Sequence, residues 1–179
     1  MHRFLRHILF FLFLYSAPAH AVLDGPNPKD TLKAAISYNL ARFFTQITED
    51  DASTLRPLVF CVYADDPVAQ ELRTMNAARD NKQAFVLREV TALLSFYVGC
   101  DLSFIPDDIM AELSLYKLAA SGNVTIGATE GFLEAGGAVE LKQVGRKFAF
   151  SVNLQALKLA EKSLSSRVLK LALEVRPAS

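Results

Sequence analysis

The chain has 179 residues, half of them apolar, enough for one buried core rather than two. Its 19 basic and 19 acidic residues cancel, and no run of like charge points to nucleic acid or lipid headgroups. Tryptophan is absent, and all three histidines (His2, His7 and His20) lie near the N-terminus.

That N-terminus reads as a secretory signal. His2, Arg3, Arg6 and His7 form a basic start, Ile8 to Tyr15 an apolar stretch, and Ala19-His-Ala21 a small-x-small cleavage motif. The apolar stretch is too short to span a bilayer as a mature helix, so an uncleaved anchor is the weaker alternative. No cysteine follows Ala21, which argues against a lipoprotein anchor. Cleavage after Ala21 leaves residues 22–179 as one domain, with 17 basic against 19 acidic residues and a formal charge of −2. The mature chain then has no histidine. A serine or cysteine nucleophile lacks its usual base, so no enzyme activity, cofactor or metal is expected.

Asp24 to Pro28 is a turn-rich start, and Asp30 or Thr31 is placed to cap a first helix. Leu32, Ile36, Leu40, Phe43 and Ile47 recur at helical spacing, with Lys33, Asn39 and Arg42 off that stripe. Leu58-Val-Phe-Cys-Val-Tyr-Ala64 is a continuous apolar run, the mark of a strand buried on both faces. Asp65, Asp66 and Pro67 open a second helix whose inner side is Val68, Leu72 and Met75. Phe85 to Val90 and Cys100 to Ile105 are the next strands. A helix is expected from Pro106-Asp-Asp108 through Leu115 and Leu118 to Ala120, with Gly122 closing it. Val124 to Ile126 is a short strand, and Gly136 with Gly137 permits a tight turn. Phe148, Phe150 and Val152 alternate as in a half-buried strand. Asn153 caps a helix carrying Leu154, Leu157, Ala160 and Leu164. Ser165 caps a shorter one whose Val168, Leu171, Ala172 and Val175 face inward. The alternation predicts a three-layer, Rossmann-like α/β domain. Its mixed sheet has about six strands, helices on both faces and an antiparallel hairpin at one end, around the diglycine.

Seven blocks, in order, resemble the YfiR family of secreted bacterial regulators. They are Lys33-Ala-Ala-Ile-Ser-Tyr-Asn-Leu-Ala-Arg-Phe43, Phe60-Cys-Val-Tyr-Ala-Asp-Asp-Pro67, Cys100-Asp-Leu-Ser-Phe-Ile105, Val124-Thr-Ile-Gly127, Gly131-Phe-Leu-Glu-Ala-Gly-Gly137, Phe148-Ala-Phe-Ser-Val-Asn153 and Leu164-Ser-Ser-Arg-Val-Leu-Lys-Leu-Ala172. The resemblance implies a periplasmic α/β protein, expected as a homodimer, that represses a membrane-bound diguanylate cyclase through the cyclase's periplasmic sensor region. An outer-membrane lipoprotein is expected to titrate it away. The chain departs from the family pattern at Phe44-Thr-Gln-Ile47, where a tryptophan-proline is usual, and it lacks the second cysteine pair of some members.

Cys61 and Cys100 are the only cysteines, and both fall in family blocks. An even count in a secreted chain favours a bridge; two buried thiols are the alternative. The contact surface for the partner is expected to combine the first helix (Tyr38, Asn39, Arg42) with the C-terminal helix pair (Arg167, Lys170). Arg42, Arg146 and Arg167 with Ser165 or Ser166 could converge on an anion, against the plainer reading of solvated surface arginines. Asp65 with Asp66, and Asp107 with Asp108, are read as helix caps rather than acid/base pairs. Gly131, Gly136 and Gly137 fit neither a dinucleotide fingerprint nor a P-loop.

Overall fold

A computed structural model describes residues 27–46, 56–78, 85–145 and 147–178. The signal segment, Ile47 and Arg146 therefore lie outside the described residues. The elements run α1 (Pro28–Ala41), β1 (Phe44–Gln46), β2 (Leu58–Tyr63), α2 (Pro67–Ala77), β3 (Phe85–Val90), β4 (Leu102–Ile105), α3 (Leu115–Ala120) and β5 (Val124–Gly127). They continue with β6 (Val139–Val144), β7 (Lys147–Asn153), α4 (Leu154–Leu159), β8 (Lys162–Leu164), α5 (Ser166–Leu169) and β9 (Glu174–Arg176). Short 3-10 turns occupy Leu93–Tyr97 and Met110–Glu112.

The main sheet has seven strands in the order β3-β2-β4-β5-β6-β7-β9, and β1 pairs with β8 in a separate two-stranded ribbon. β3, β2, β4, β5 and β6 are parallel, β7 is antiparallel to β6, and β9 is parallel to β7. β2 is an interior strand, paired with β3 and β4, as its unbroken apolar run requires. Phe60 and Val62 join a core cluster shared with α1, α2 and α4, while Cys61 joins the opposite cluster with Phe96, Leu115, Leu118 and Phe132. Successive side chains leave a strand on opposite faces, so β2 serves both layers.

Several caps follow the sequence. Asp66 Oδ1 accepts from the Val68 N–H at 2.8 Å and Pro67 takes the first helical position. Burial pushes the Asp66 carboxyl up from its ordinary value, although the Val68 and Ala69 N–H groups pull it the other way. Asn153 Oδ1 accepts from the N–H groups of Gln155 and Ala156 at 3.0 and 3.3 Å. Gly122, at φ 87°, follows α3 as its closing residue.

Other expectations are corrected. The cap of α1 is Asn27, whose Oδ1 accepts from the Lys29 N–H at 3.1 Å, rather than Asp30 or Thr31; Pro28, with its φ preset, opens the helix earlier. The inward face of α1 is Ala34, Ser37, Tyr38, Leu40 and Ala41, while Leu32 and Phe43 are exposed. Small residues let α1 lie close to α2, which turns the helix away from its larger apolar stripe. The expected helix from 106 to 120 breaks into a turn, a 3-10 turn and α3, because Ser114 recaps the chain by accepting from the Lys117 N–H. The diglycine is not a hairpin. It lies in the connection between the parallel strands β5 and β6, and the hairpin is β6–β7, turning at Gly145. A Cβ on Gly127 or Gly137 would overlap the Phe132 ring, so these glycines admit a buried aromatic against bare backbone. Leu164 belongs to β8, not to α4. Leu171 and Val175 point to solvent rather than inward, and Ser165 makes no side-chain capping bond to α5.

Two ties hold the layers together. Cys61 and Cys100 form a disulfide, with Cα atoms 5.8 Å apart and a sequence separation of 39. Asp101 is buried at the foot of the sheet. Its carboxylate accepts from Arg56 at 2.6 and 3.0 Å and from the Val59 N–H at 2.8 Å, and lies 3.6 Å from Lys162 Nζ. Lys162 is buried too and donates to the Gly122 and Ala160 carbonyls.

Removing Asp101 strands a buried ammonium, whereas Arg56 is 57% exposed. Asp101→Ala should therefore cost about 3–5 kcal/mol of unfolding free energy, against about 1 kcal/mol or less for Arg56→Ala, measured by urea denaturation. Reducing the disulfide should lower the stability of the native protein by about 4 kcal/mol in paired denaturation curves with and without dithiothreitol.

Candidate functional site

The β1–β8 ribbon decides which surface residues meet. Its antiparallel register sets Phe44 opposite Leu164, and both are buried. Arg42 and Phe43 enter β1 at the end of the ribbon where Ser165 and Ser166 leave β8. The pairing ties the segment that carries Arg42 to the one that carries Ser165, Ser166 and Arg167. All four are exposed, as are Asn39 and Lys170. Half of the Phe43 surface is also exposed there. Arg42, Arg167 and Lys170 enter no ion pair among the described residues.

Tyr38 does not belong to this surface. It is buried, edge-on to Phe85 with ring centroids 5.0 Å apart, because its turn of α1 faces β3. Arg146 falls outside the described residues.

A crevice of about 240 Å³ opens where the carboxyl ends of β2 and β4 diverge, the place where open α/β sheets bind ligands. Asp30, Lys33, Asp66, Asp107 and Asp108 line it above Phe104. Lys33 is 3.4 Å from Asp30, and Asp107 accepts from the Thr129 hydroxyl at 2.7 Å. Four carboxylates against one ammonium repel an anion from this crevice. No group of three or more metal-ligating side chains occurs among the described residues.

The sequence reading passed over two features. One is the Asp101–Lys162 pair: a lone acid directly after Cys100 and a lone lysine opening the three-residue β8 give no periodic signal. The other is Arg88, which donates from Nη2 to Cys100 Sγ at 2.9 Å and to the carbonyls of Ser95 and Val98. Its position within a strand hid that role.

No curated protein matches the chain significantly. Among solved structures, a conserved domain protein from Vibrio cholerae O1 biovar El Tor is similar at 15% identity and a TM-score of 0.47, covering 67% of this chain and 55% of that one. The ABC domain from Streptococcus pneumonia, solved in complex with L-Trp, is similar at 12% identity and a TM-score of 0.45, covering 66% and 54%. The chain spans about half the length of each. A family profile described as YfiR/HmsC-like matches residues 30–173, most of the chain. The chain belongs to the YfiR/HmsC-like family.

Proposed function

We propose that this protein represses a membrane-bound diguanylate cyclase by binding the cyclase's periplasmic sensor region, and does so without chemistry of its own. The observation that supports this reading is the β1–β8 ribbon, which ties the end of α1, with exposed Asn39 and Arg42 and half-exposed Phe43, to the start of α5, with exposed Arg167 and Lys170. Exposed aromatic and arginine side chains are a common feature of protein contact surfaces. Binding lowers cyclic-di-GMP only insofar as the protein prefers the cyclase's inactive arrangement over its active one. The reading includes a homodimer and release by an outer-membrane lipoprotein. The alternative is a periplasmic sensor for an anion or nucleotide, independent of any cyclase, and it draws on Arg42, Ser165, Ser166 and Arg167.

Deleting the gene should raise cyclic-di-GMP and biofilm, and the wild-type copy should restore them. Arg42→Ala and Arg167→Ala should restore them only in part, while shifting unfolding free energy by about 0.5 kcal/mol or less, because both arginines are exposed. No rise on deletion, with the neighbouring cyclase expressed, defeats the repressor reading and leaves the sensor in front. Secretion is tested separately. The intact mass of protein recovered from the periplasm should correspond to residues 22–179, and a mass that includes residues 1–21 refutes cleavage after Ala21.

A further inference from the structure

No carboxylate of the described residues pairs with Arg88. Its Nη2 is committed to uncharged acceptors: the carbonyls of Ser95 and Val98 and, at 2.9 Å, the bridged sulfur of Cys100. Nη1 meets no acceptor among the described residues, and Nε is buried without one. A guanidinium stays charged throughout the pH range of a folded protein, so Arg88 cannot relieve this by losing a proton. Glu89 does not answer the charge. It leaves β3 on the face opposite Arg88 and pairs with Arg73 at 2.9 Å.

A cavity of about 390 Å³ opens at this guanidinium, lined by Arg88, Glu89, Val90, Thr91, Ser95 and Val98. The Ser95 and Val98 carbonyls hold the guanidinium in place, so the cation is oriented before any ligand arrives. Thr91 and Ser95 add hydroxyls that bond to no described residue. Val98, 72% exposed, gives the cavity an apolar wall. Gly99 keeps the approach to Nη1 open: it is exposed, its φ is +70°, and a Cβ there would sit 3.1 Å from Nη1. Arginine donors match carboxylate oxygens, and such charge-assisted bonds are about twice as strong as neutral ones. We propose that this cavity binds a small organic carboxylate. One carboxylate oxygen takes the open Nη1 donors, the hydroxyls of Thr91 and Ser95 serve the other, and the apolar part of the ligand lies against Val98. The site shares no residue with the surface proposed for the cyclase, so either can fail without the other.

The test uses the full mature protein with its disulfide intact, isotope-labelled for amide NMR and titrated at neutral pH with sodium hexanoate. Hexanamide, hexylammonium chloride and sodium phosphate, at matched ionic strength, are the comparisons. Hexanoate should shift the amides of Thr91, Ser95, Val98 and Gly99 along one saturable curve. It should bind at least about tenfold more tightly than hexanamide, the worth of one hydrogen bond to a charged group. Hexylammonium should leave those amides in place, and phosphate, which gains nothing from Val98, should bind more weakly than hexanoate. Ser95→Asp sets a carboxylate beside the guanidinium from within the chain and should abolish the hexanoate response. Equal binding of hexanoate and hexanamide, or shifts that spare these four amides, overturns the proposal on the wild-type protein alone, whether or not the variant folds. An undiminished response in a folded Ser95→Asp protein also overturns it, and tighter binding of phosphate than of hexanoate overturns the assignment to carboxylates.

Discussion

The fold depends first on one buried carboxylate. Asp101 stands at the amino end of the sheet, where β2, β4 and β5 begin. Its main chain already links them, since its N–H donates to the Val59 carbonyl and its carbonyl accepts from the Val124 N–H, both at 2.8 Å. The side chain then gathers a second set of donors: Arg56 ahead of β2, the Val59 N–H and, more distantly, Lys162 in the separate ribbon. A carboxylate taken from water at this depth is tolerated only because its lone pairs are met on several sides. Those donors come from segments far apart in sequence, so satisfying one charge fixes how the ribbon sits on the main sheet.

Much of the fold was legible in the residues. β2 announced itself as a strand buried on both faces, because nothing polar interrupts Leu58 to Tyr63, and the caps at Asp66 and Asn153 followed from residue type and position. The paired cysteines were legible through their number and compartment. What failed did so for a common reason: tertiary contacts overrode local pattern. The stripe on α1 favoured Leu32 and Phe43, but Ala34 and Ala41 allow the closer packing against α2. Gly136 and Gly137 looked like a hairpin turn, yet the space at Gly137 belongs to the Phe132 ring, and the segment joins the parallel strands β5 and β6. Leu164 kept a helical period with Leu157 and Ala160 only by coincidence; its partner is Phe44 of β1. Of the candidate surface, the exposed arginines were legible from their places off the apolar stripe, and Tyr38 was not, because Phe85 claims it from another element.

The last strand shows how an exposed edge is kept from pairing at random. β9 ends the sheet among the described residues and carries Leu171, 73% exposed, Leu173 and Val175 on or beside it. Such an edge invites strand addition. Here it is three residues long, is followed by Pro177, and carries two charges. Arg176 is held by Glu134 at 2.6 Å and by Glu174 at 2.8 Å, and the Arg176 guanidinium keeps the Glu134 carboxyl below its ordinary range. Shortness, proline and a fixed charge cluster each oppose a further strand, so the apolar side chains stay available for side-on contact while backbone pairing is discouraged.

The same logic explains why a protein of this build keeps a costly buried ion pair. The segments that carry Arg42, Phe43 and Arg167 flank the β1–β8 ribbon, which forms a two-stranded sheet separate from the seven-stranded one. Phe44 and Leu164 seat it in the core by apolar contact, which is strong but tolerant of sliding. Lys162 supplies direction: its ammonium is aimed between Asp101 and the carbonyls of Gly122 and Ala160, and a shift of the ribbon by one residue would send it to the opposite face. A hydrophobic residue at 162 could match the ion pair in stability, as replacements of buried pairs often do. It would not fix register. The buried charge therefore acts on the surface it never reaches, by setting where Arg42 and Arg167 stand relative to one another.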